Sequence, residues 1–244
     1  MFIHAFRGRF VVLVLAAAVV VTMSGCTVEA QPPAQAPASE LATASPAASA
    51  RVARQLTAEE LVQAALPVRT VANLVGEPAS VYHAFPDEAK VEFLAGPECR
   101  EILDAVNGQR IPAPRLAFQP FTWTGDRYGG SSLLASYEGS GAKEAFATVR
   151  EGLKACRYFE RQSPAGLYKG TLNVLAAPEV GEEVVRFEIA APLKLGPSVT
   201  EYTVVRAGST VVSFSKLSVA GRDVRAFPAA LITEQVTRLQ EAQQ

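Results

Sequence analysis

The stretch GSGAKEAFATVREGLKAC, residues 139–156, decides the fold, because it is the clearest helix in the chain and strand-like segments flank it on both sides. Apolar side chains recur along it at helical spacing, at Ala142, Ala145, Phe146, Val149 and Leu153. The Gly-Ser-Gly start opens the helix, and Ser140 is predicted to cap it. An anion bound at this helix N-terminus is the alternative, but the Gly-Lys-Ser/Thr part of a phosphate-binding loop is absent.

Strand patterns lie before and after this helix. Residues 115–123 and 131–137 alternate between apolar and polar side chains, and the segment 124–130 between them is rich in glycine, which predicts a hairpin with a loop of several residues. Five further strands are predicted downstream, at residues 157–160, 172–176, 184–190, 199–206 and 210–219. The last two are joined at Ala207-Gly208-Ser209, a sequence typical of a tight turn.

Three more helices are predicted, at residues 56–67, 97–106 and 224–239. Thr57 and Glu60 form a capping box at the start of the first, and Pro67 ends it. Residues 68–96 carry several glycines and prolines and are interpreted as loop with at most one short strand or helical turn. Many strands, few helices and short connections predict an α+β fold, in which helices pack on an antiparallel sheet.

The N-terminal residues 1–25 have the pattern of a secretory signal peptide. Arg7 and Arg9 are followed by an uncharged apolar run over residues 10–21, and small residues end the segment. The run is shorter than the roughly 20 apolar residues that span a bilayer. An uncleaved membrane anchor is the alternative interpretation.

The residues Met23-Ser24-Gly25-Cys26 resemble the lipobox of bacterial lipoproteins, with Met where Leu is usual. This resemblance implies a diacylglycerol group on the Cys26 sulfur, cleavage before Cys26 and, in some bacteria, acylation of the new amine. Two acyl chains hold a protein stably on a membrane, whereas one does not. An ordinary signal peptide in which Cys26 is incidental is the alternative.

The segment 26–55 is rich in Ala, Pro and Ser and has almost no large apolar side chain. It is predicted to be a disordered tether whose ends lie roughly 30 Å apart. The rest, residues 56–241, is long enough for one domain. Loss of Arg7 and Arg9 with the signal leaves 21 basic and 24 acidic side chains, a net charge of −3. This balance argues against a nucleic-acid partner.

Cys99 and Cys156 are the only other cysteines. In an extracytoplasmic compartment they favour one disulfide over two free thiols or a metal pair. The bridge would tie the start of the second helix to the end of the long one. In the loop-entropy model, closing a loop of this length stabilises the folded state by about 4 kcal/mol.

Three stretches carry a family resemblance: CREIL (99–103), AKEAFATVREGLKACRYF (142–159) and VRAGSTVV (205–212). In these stretches the chain resembles the extracellular sensor domain of certain mycobacterial serine/threonine kinases, and the actinobacterial lipoproteins that share it, over residues 60–241. The resemblance implies an α+β domain with a cleft beside an antiparallel sheet, which binds a small ligand or an envelope component. Family members commonly carry two disulfides, whereas this chain has cysteines for one. It has no kinase segment, so phosphotransfer is not expected.

Residues suited to catalysis are few. His83 is the sole histidine after the signal, so a multi-histidine metal site is excluded, and no Gly-x-Ser-x-Gly motif supplies a nucleophile for a triad. A surface position is the simpler interpretation of His83. Glu179, Glu182 and Glu183 suit either a solvated turn or a metal or acid-base site. We therefore expect no enzyme activity, no cofactor and no metal.

Trp123, Arg127 and Tyr128 form the most suggestive cluster, because an indole, a guanidinium and a phenol suit a sugar or a lipid headgroup. Packing of Trp123 in the core is the alternative. The sequence predicts a lipid-anchored protein on the extracytoplasmic face of the cell membrane, whose sensor-like domain binds a small envelope-derived ligand without transforming it. The alternative function is an interaction lipoprotein that docks an envelope protein complex.

Overall fold

The computed structural model describes residues 53–68, 70–71, 74–83, 91–109, 114–125, 128–163, 166–193, 196–219 and 226–244. The predicted signal peptide, Cys26 and nearly all of the predicted tether lie outside these residues. No helix of the described part is long and apolar enough to cross a membrane.

The elements follow one another in the order predicted for an α+β chain. The strands are β1 (Thr70–Val71), β2 (Leu74–Gly76), β3 (Ser80–Val81), β4 (Glu92–Ala95), β5 (Arg115–Trp123), β6 (Gly130–Ser136), β7 (Tyr158–Ser163), β8 (Gly166–Leu175), β9 (Glu183–Leu193), β10 (Gly196–Ala207) and β11 (Thr210–Val219). The helices are α1 (Ala58–Ala64), α2 (Arg100–Val106), α3 (Gly141–Ala155) and α4 (Ala229–Ala242), and a 3₁₀ turn at Pro97–Cys99 precedes α2.

All strand pairings of the described sheet are antiparallel, in the order β1-β2-β5-β6-β11-β10-β9-β8-β7-β4, with β3 also paired to β5. The predicted tight turn joins β10 to β11, where Ala207 pairs with Thr210 and Gly208 adopts a φ of 58°. A residue with a side chain rarely adopts this left-handed conformation, so glycine suits the turn. The α+β fold class is confirmed.

Helices cover both faces of the sheet. On the first face, α2 and α3 bury a core that includes Phe146, Phe159 and Phe187. On the second face, α1 and α4 bury a separate core. Because side chains alternate along a strand, each long strand contributes to both cores.

Two predictions from the sequence are confirmed, the capping box of α1 and the disulfide. Thr57 and Glu60 form the capping box of α1, with Thr57 Oγ1 accepting from the Glu60 N–H at 3.2 Å. The disulfide between Cys99 and Cys156 is present, and both cysteines are fully buried. It joins the start of α2 to the end of α3 and so fixes the two helices on the first face.

Three local expectations were wrong. The segment 68–96 contains four short strands, which form through pairing and not because of a strong local pattern: β2 and β3 pair with β5, β4 pairs with β7, and β1 pairs with β2. The last helix begins at Ala229, after Pro228 at its N-cap, and residues 221–225 lie outside the described part. Ser140 does not cap α3, since its hydroxyl bonds the side chain of Glu144 instead.

Candidate functional site

The indole of Trp123 packs in the core of the second face. Trp123 is 5% exposed, and its ring meets Phe227 edge-on with 5.4 Å between centroids. The structure therefore assigns Trp123 to packing, the alternative that the sequence left open. Arg127 lies outside the described residues, and a binding role for it and for Tyr128 stays a prediction.

A buried lysine fixes the loop beside this tryptophan. Lys216 is 1% exposed, and its ammonium lies 5.0 Å from the centroid of the Trp123 ring. The same ammonium donates to the carbonyl of Tyr128 at 2.7 Å and to that of Leu217. These contacts compensate the buried charge, so Lys216 stabilises the β5–β6 connection.

The other polar residues that the sequence offered as site candidates lie at the surface or in ion pairs. His83 is exposed at the surface. Glu183 pairs with Arg206 of β10 at 2.5 Å and with Arg150 of α3 at 2.9 Å, and Glu182 also pairs with Arg206. These ion pairs tie α3 and β10 to the start of β9. Within the described ranges, no group of three or more potential metal ligands is found.

A cleft opens on the first face, beyond the C-terminal end of α2, and holds about 100 Å³. Three aromatic rings, three serines, one amide and two aliphatic side chains form its lining: Tyr82, Phe118, Tyr202, Ser131, Ser213, Ser215, Asn107, Val106 and Leu133. None of these side chains is charged at neutral pH. We refer to this site as the aromatic-serine cleft.

Strand register brings the serines of the cleft together. Ser131 of β6 lies opposite Ser215 of β11, and their hydroxyl oxygens are 2.9 Å apart. Ser213, two residues earlier in β11, points to the same face, and Tyr202 of β10 lies opposite Ser215. Three adjacent strands thus present hydroxyl groups side by side at positions where the first face would otherwise be apolar.

The aromatic rings form the walls of the cleft. Tyr82 follows β3, where its N–H donates to the carbonyl of Leu116 at 3.1 Å, and its ring lies 5.8 Å from that of Phe118. Tyr202 stacks on the buried ring of Phe187 with 5.1 Å between centroids and 13° between planes. Such packing holds the rings in place before any ligand arrives.

Burial, with a smaller contribution from the phenol of Tyr168, raises the pKa of Tyr202 to about 12, although the charge of Arg161 acts in the opposite direction. The Tyr202 hydroxyl is therefore neutral at physiological pH and can both donate and accept a hydrogen bond. The lining contains no histidine and no carboxylate that could activate a serine. The cleft can stack a ring and bond hydroxyl groups.

The resemblance implied a cleft beside the sheet, but the sequence interpretation did not identify the residues that line this one. Its one local signal is the alternation of Ser213 and Ser215 with Phe214 inside a predicted strand, which places polar groups where one face should be apolar. Ser131, which lies opposite Ser215, comes from β6, far away in the sequence, and only the strand register brings the two serines together.

Comparison with solved structures establishes the fold. The extracellular domain of PknH from Mycobacterium tuberculosis is similar over 78% of this chain and 99% of its own, with a TM-score of 0.55 and 13% sequence identity. The chain shares the fold of that extracellular domain. The resemblance found in the sequence is thus confirmed at the level of the fold.

A second solved structure, of the Rv0999 ortholog from Mycobacterium smegmatis, matches over 71% of this chain and 90% of its own, with a TM-score of 0.39 and 10% identity. No protein-family model and no curated protein matches the chain.

Proposed function

We propose that this protein is a lipid-anchored, extracytoplasmic, sensor-like binding protein, and that its aromatic-serine cleft holds part of a small amphipathic envelope molecule without transforming it. One observation carries the proposal: the cleft combines ring faces with hydroxyl groups and has no charged side chain in its lining. Ring faces suit the apolar face of a sugar or a similar ring, and hydroxyl groups suit its polar edge.

The size of the cleft limits what enters it. Sites for drug-sized ligands hold about 300–1,000 Å³, whereas this cleft holds about 100 Å³. It therefore takes one ring or a short polar segment, and the rest of the ligand lies outside. The absence of a base beside its serines supports binding without turnover.

Three features support the extracytoplasmic setting. Residues 1–25 have the pattern of a signal peptide, and Cys26 ends a lipobox-like sequence. The disulfide between Cys99 and Cys156 suits an oxidising compartment. The fold is that of a domain described as extracellular.

Thermal-shift screening of envelope lipids and glycans tests the proposal. A ligand at one hundred times its dissociation constant adds about 2.7 kcal/mol of stability. Ser215→Val removes a cleft hydroxyl and narrows the cleft, so the shift should be lost. Thr171→Val is the matched control, because it removes a hydroxyl from an exposed strand position. A hit whose shift survives Ser215→Val, or that the protein converts to product, refutes the proposal.

Docking of an envelope protein is the second candidate, and exposed apolar side chains favour it. Leu94 in β4 is 54% exposed and Leu167 in β8 is 50% exposed, and β4 ends the pairing order of the described sheet. Crosslinking in intact cells should then give one discrete adduct that Leu94→Lys removes. If Leu94→Lys leaves the adduct pattern unchanged, this candidate fails.

A further inference from the structure

The two buried charges of the strands that line the aromatic-serine cleft point away from it. Glu201 of β10 lies directly opposite Lys216 of β11, and the next pair along these strands is Tyr202 with Ser215. Successive residues of a strand point to opposite faces of the sheet. Because Tyr202 and Ser215 line the cleft on the first face, Glu201 and Lys216 lie on the second face.

Partners on the second face hold both of these charges in place. Arg186 of β9 bonds the two carboxylate oxygens of Glu201, each at 2.9 Å. The ammonium of Lys216 donates to two backbone carbonyls and lies 5.0 Å from the centroid of the Trp123 ring. Loss of these contacts would leave a buried charge without a partner, which is costly, so neither charge is available to a ligand in the cleft.

The charge that β10 does present on the first face is paired, and it lies away from the cleft. Arg206 comes four residues after Tyr202, which is about 13 Å along a strand. Its guanidinium pairs with the carboxylates of Glu182 and Glu183. The strands β10 and β11 therefore bring hydroxyl groups to the cleft and no charge.

The hydroxyl groups of the cleft can both donate and accept hydrogen bonds. Ser131 and Ser215 are 2.9 Å apart, and either of them can be the donor of the bond between them. The phenol of Tyr202 stays neutral, because burial raises its pKa to about 12. A sugar hydroxyl also donates and accepts, so it finds a partner whichever way these hydroxyls turn.

A charged substituent finds no opposite charge in the cleft. An ammonium group only donates, and a carboxylate only accepts. Each loses part of its hydration when its ring enters the cleft, and this loss is costly for a charge that is not paired. The lining offers hydroxyl groups and one amide but no ion of opposite sign. A charged ring should therefore bind more weakly than a neutral ring of similar shape.

We infer that the aromatic-serine cleft selects an uncharged, hydroxyl-rich ring, a neutral sugar or cyclic polyol, and rejects sugars of similar shape that carry an ammonium or a carboxylate. This inference rests on the proposed function, because the selected ring is the part of the ligand that occupies the cleft. Ser215 bonds the ring, and Asn107 is the exposed amide of the lining, where a new charge would meet the ligand.

Ligand-observed NMR with the full chain in a non-glycosidic detergent measures this selection. The probes are glucose, galactose and mannose, each with its amino sugar and its uronic acid, so the outcome does not depend on one stereochemistry. In at least one set the neutral sugar should bind, and its charged relatives should bind about tenfold or more weakly. In mildly alkaline buffer the amino sugar loses its charge while Tyr202 keeps its proton, so the affinity for the amino sugar should rise toward that for the neutral sugar.

Asn107→Asp tests the selection with almost no change of shape. Its carboxylate should raise the affinity for the amino sugar by about two- to fivefold, lower the affinity for the uronic acid and leave the neutral sugar nearly unchanged. Gln240→Glu is the matched control, because it makes the same amide-to-acid change at an exposed position of α4. Circular dichroism melting should show that each variant is folded. Equal affinities in Asn107→Asp and Gln240→Glu would contradict the selection.

A neutral sugar ring reaches the cleft either on a membrane glycolipid or as a soluble sugar. A glycosyl diacylglycerol dispersed in the same detergent separates these sources. Tighter binding than that of the matching methyl glycoside indicates a glycolipid, and equal binding indicates a soluble sugar.

Ser215→Val separates the inference from the proposed function. It should weaken every sugar that binds, whatever its charge. If a charged sugar binds as tightly as its neutral relative and both depend on Ser215, the proposed function stands and the selection is overturned. A panel in which no neutral sugar binds also overturns the selection. If sugars bind independently of Ser215, the cleft is not their site, and both the selection and the proposed function fail.

Discussion

Removal of the Cys99–Cys156 disulfide should destabilise the domain by about 4 kcal/mol. The bridge closes a loop with a sequence separation of 57 residues. In the chain-entropy model, opening a loop of this length returns about 14 cal/mol/K to the unfolded chain, which is about 4 kcal/mol at 25 °C. Domains are stable by only about 5–15 kcal/mol, so the loss is a large fraction of the total.

Urea unfolding followed by the fluorescence of Trp123, the only tryptophan, measures this loss. Reduced wild type isolates the crosslink, because its thiols still fill the buried sites. The variant with Cys99→Ala and Cys156→Ala adds the loss of packing, so it should be less stable than the reduced protein. Oxidised and reduced wild type that unfold at the same urea concentration would refute the reasoning.

Three other perturbations have defined outcomes. Phe227 contacts the rings of Phe121, Trp123 and Phe214 at 4.9, 5.4 and 5.0 Å, so Phe227→Ala should lower the free energy of unfolding by about 3–5 kcal/mol in urea titrations. Because the folded pKa of Tyr202 is about 12 and its ordinary value is 10.0, the stability that its neutral form contributes should be lost as pH rises between these values. Tyr202→Phe should unfold with a weaker pH dependence in this window, and equal slopes would contradict the burial of its hydroxyl. Cys26→Ala should move the protein out of the detergent phase in Triton X-114 partitioning, and unchanged partitioning would contradict lipidation.

Much of the fold could be predicted from local patterns. Three features each depend on a few neighbouring residues: the capping box at Thr57, the apolar stripe of α3 and the turn at Gly208. Local sequence patterns therefore predict them. The two cysteines identified the disulfide because no other pairing was available within the domain.

Features that depend on distant partners could not be predicted in this way. Strands β1, β3 and β4 have two to four residues each and exist through their pairing with β2, β5 and β7, respectively. Tryptophan is a residue type that often binds ligands. In β5, however, the side chain of Trp123 lies on the second face of the sheet, where Phe227 covers it. Ser131 and Ser215 form one site because the β6–β11 register aligns them, and no spacing in the sequence encodes that register.

Native mass spectrometry of the full chain, released from detergent, tests the central claim most directly. The account predicts that wild type carries a bound small molecule, that Ser215→Val carries much less of it, and that Thr171→Val carries as much as wild type. The same bound species at equal occupancy in wild type and in Ser215→Val would contradict a binding site in the aromatic-serine cleft.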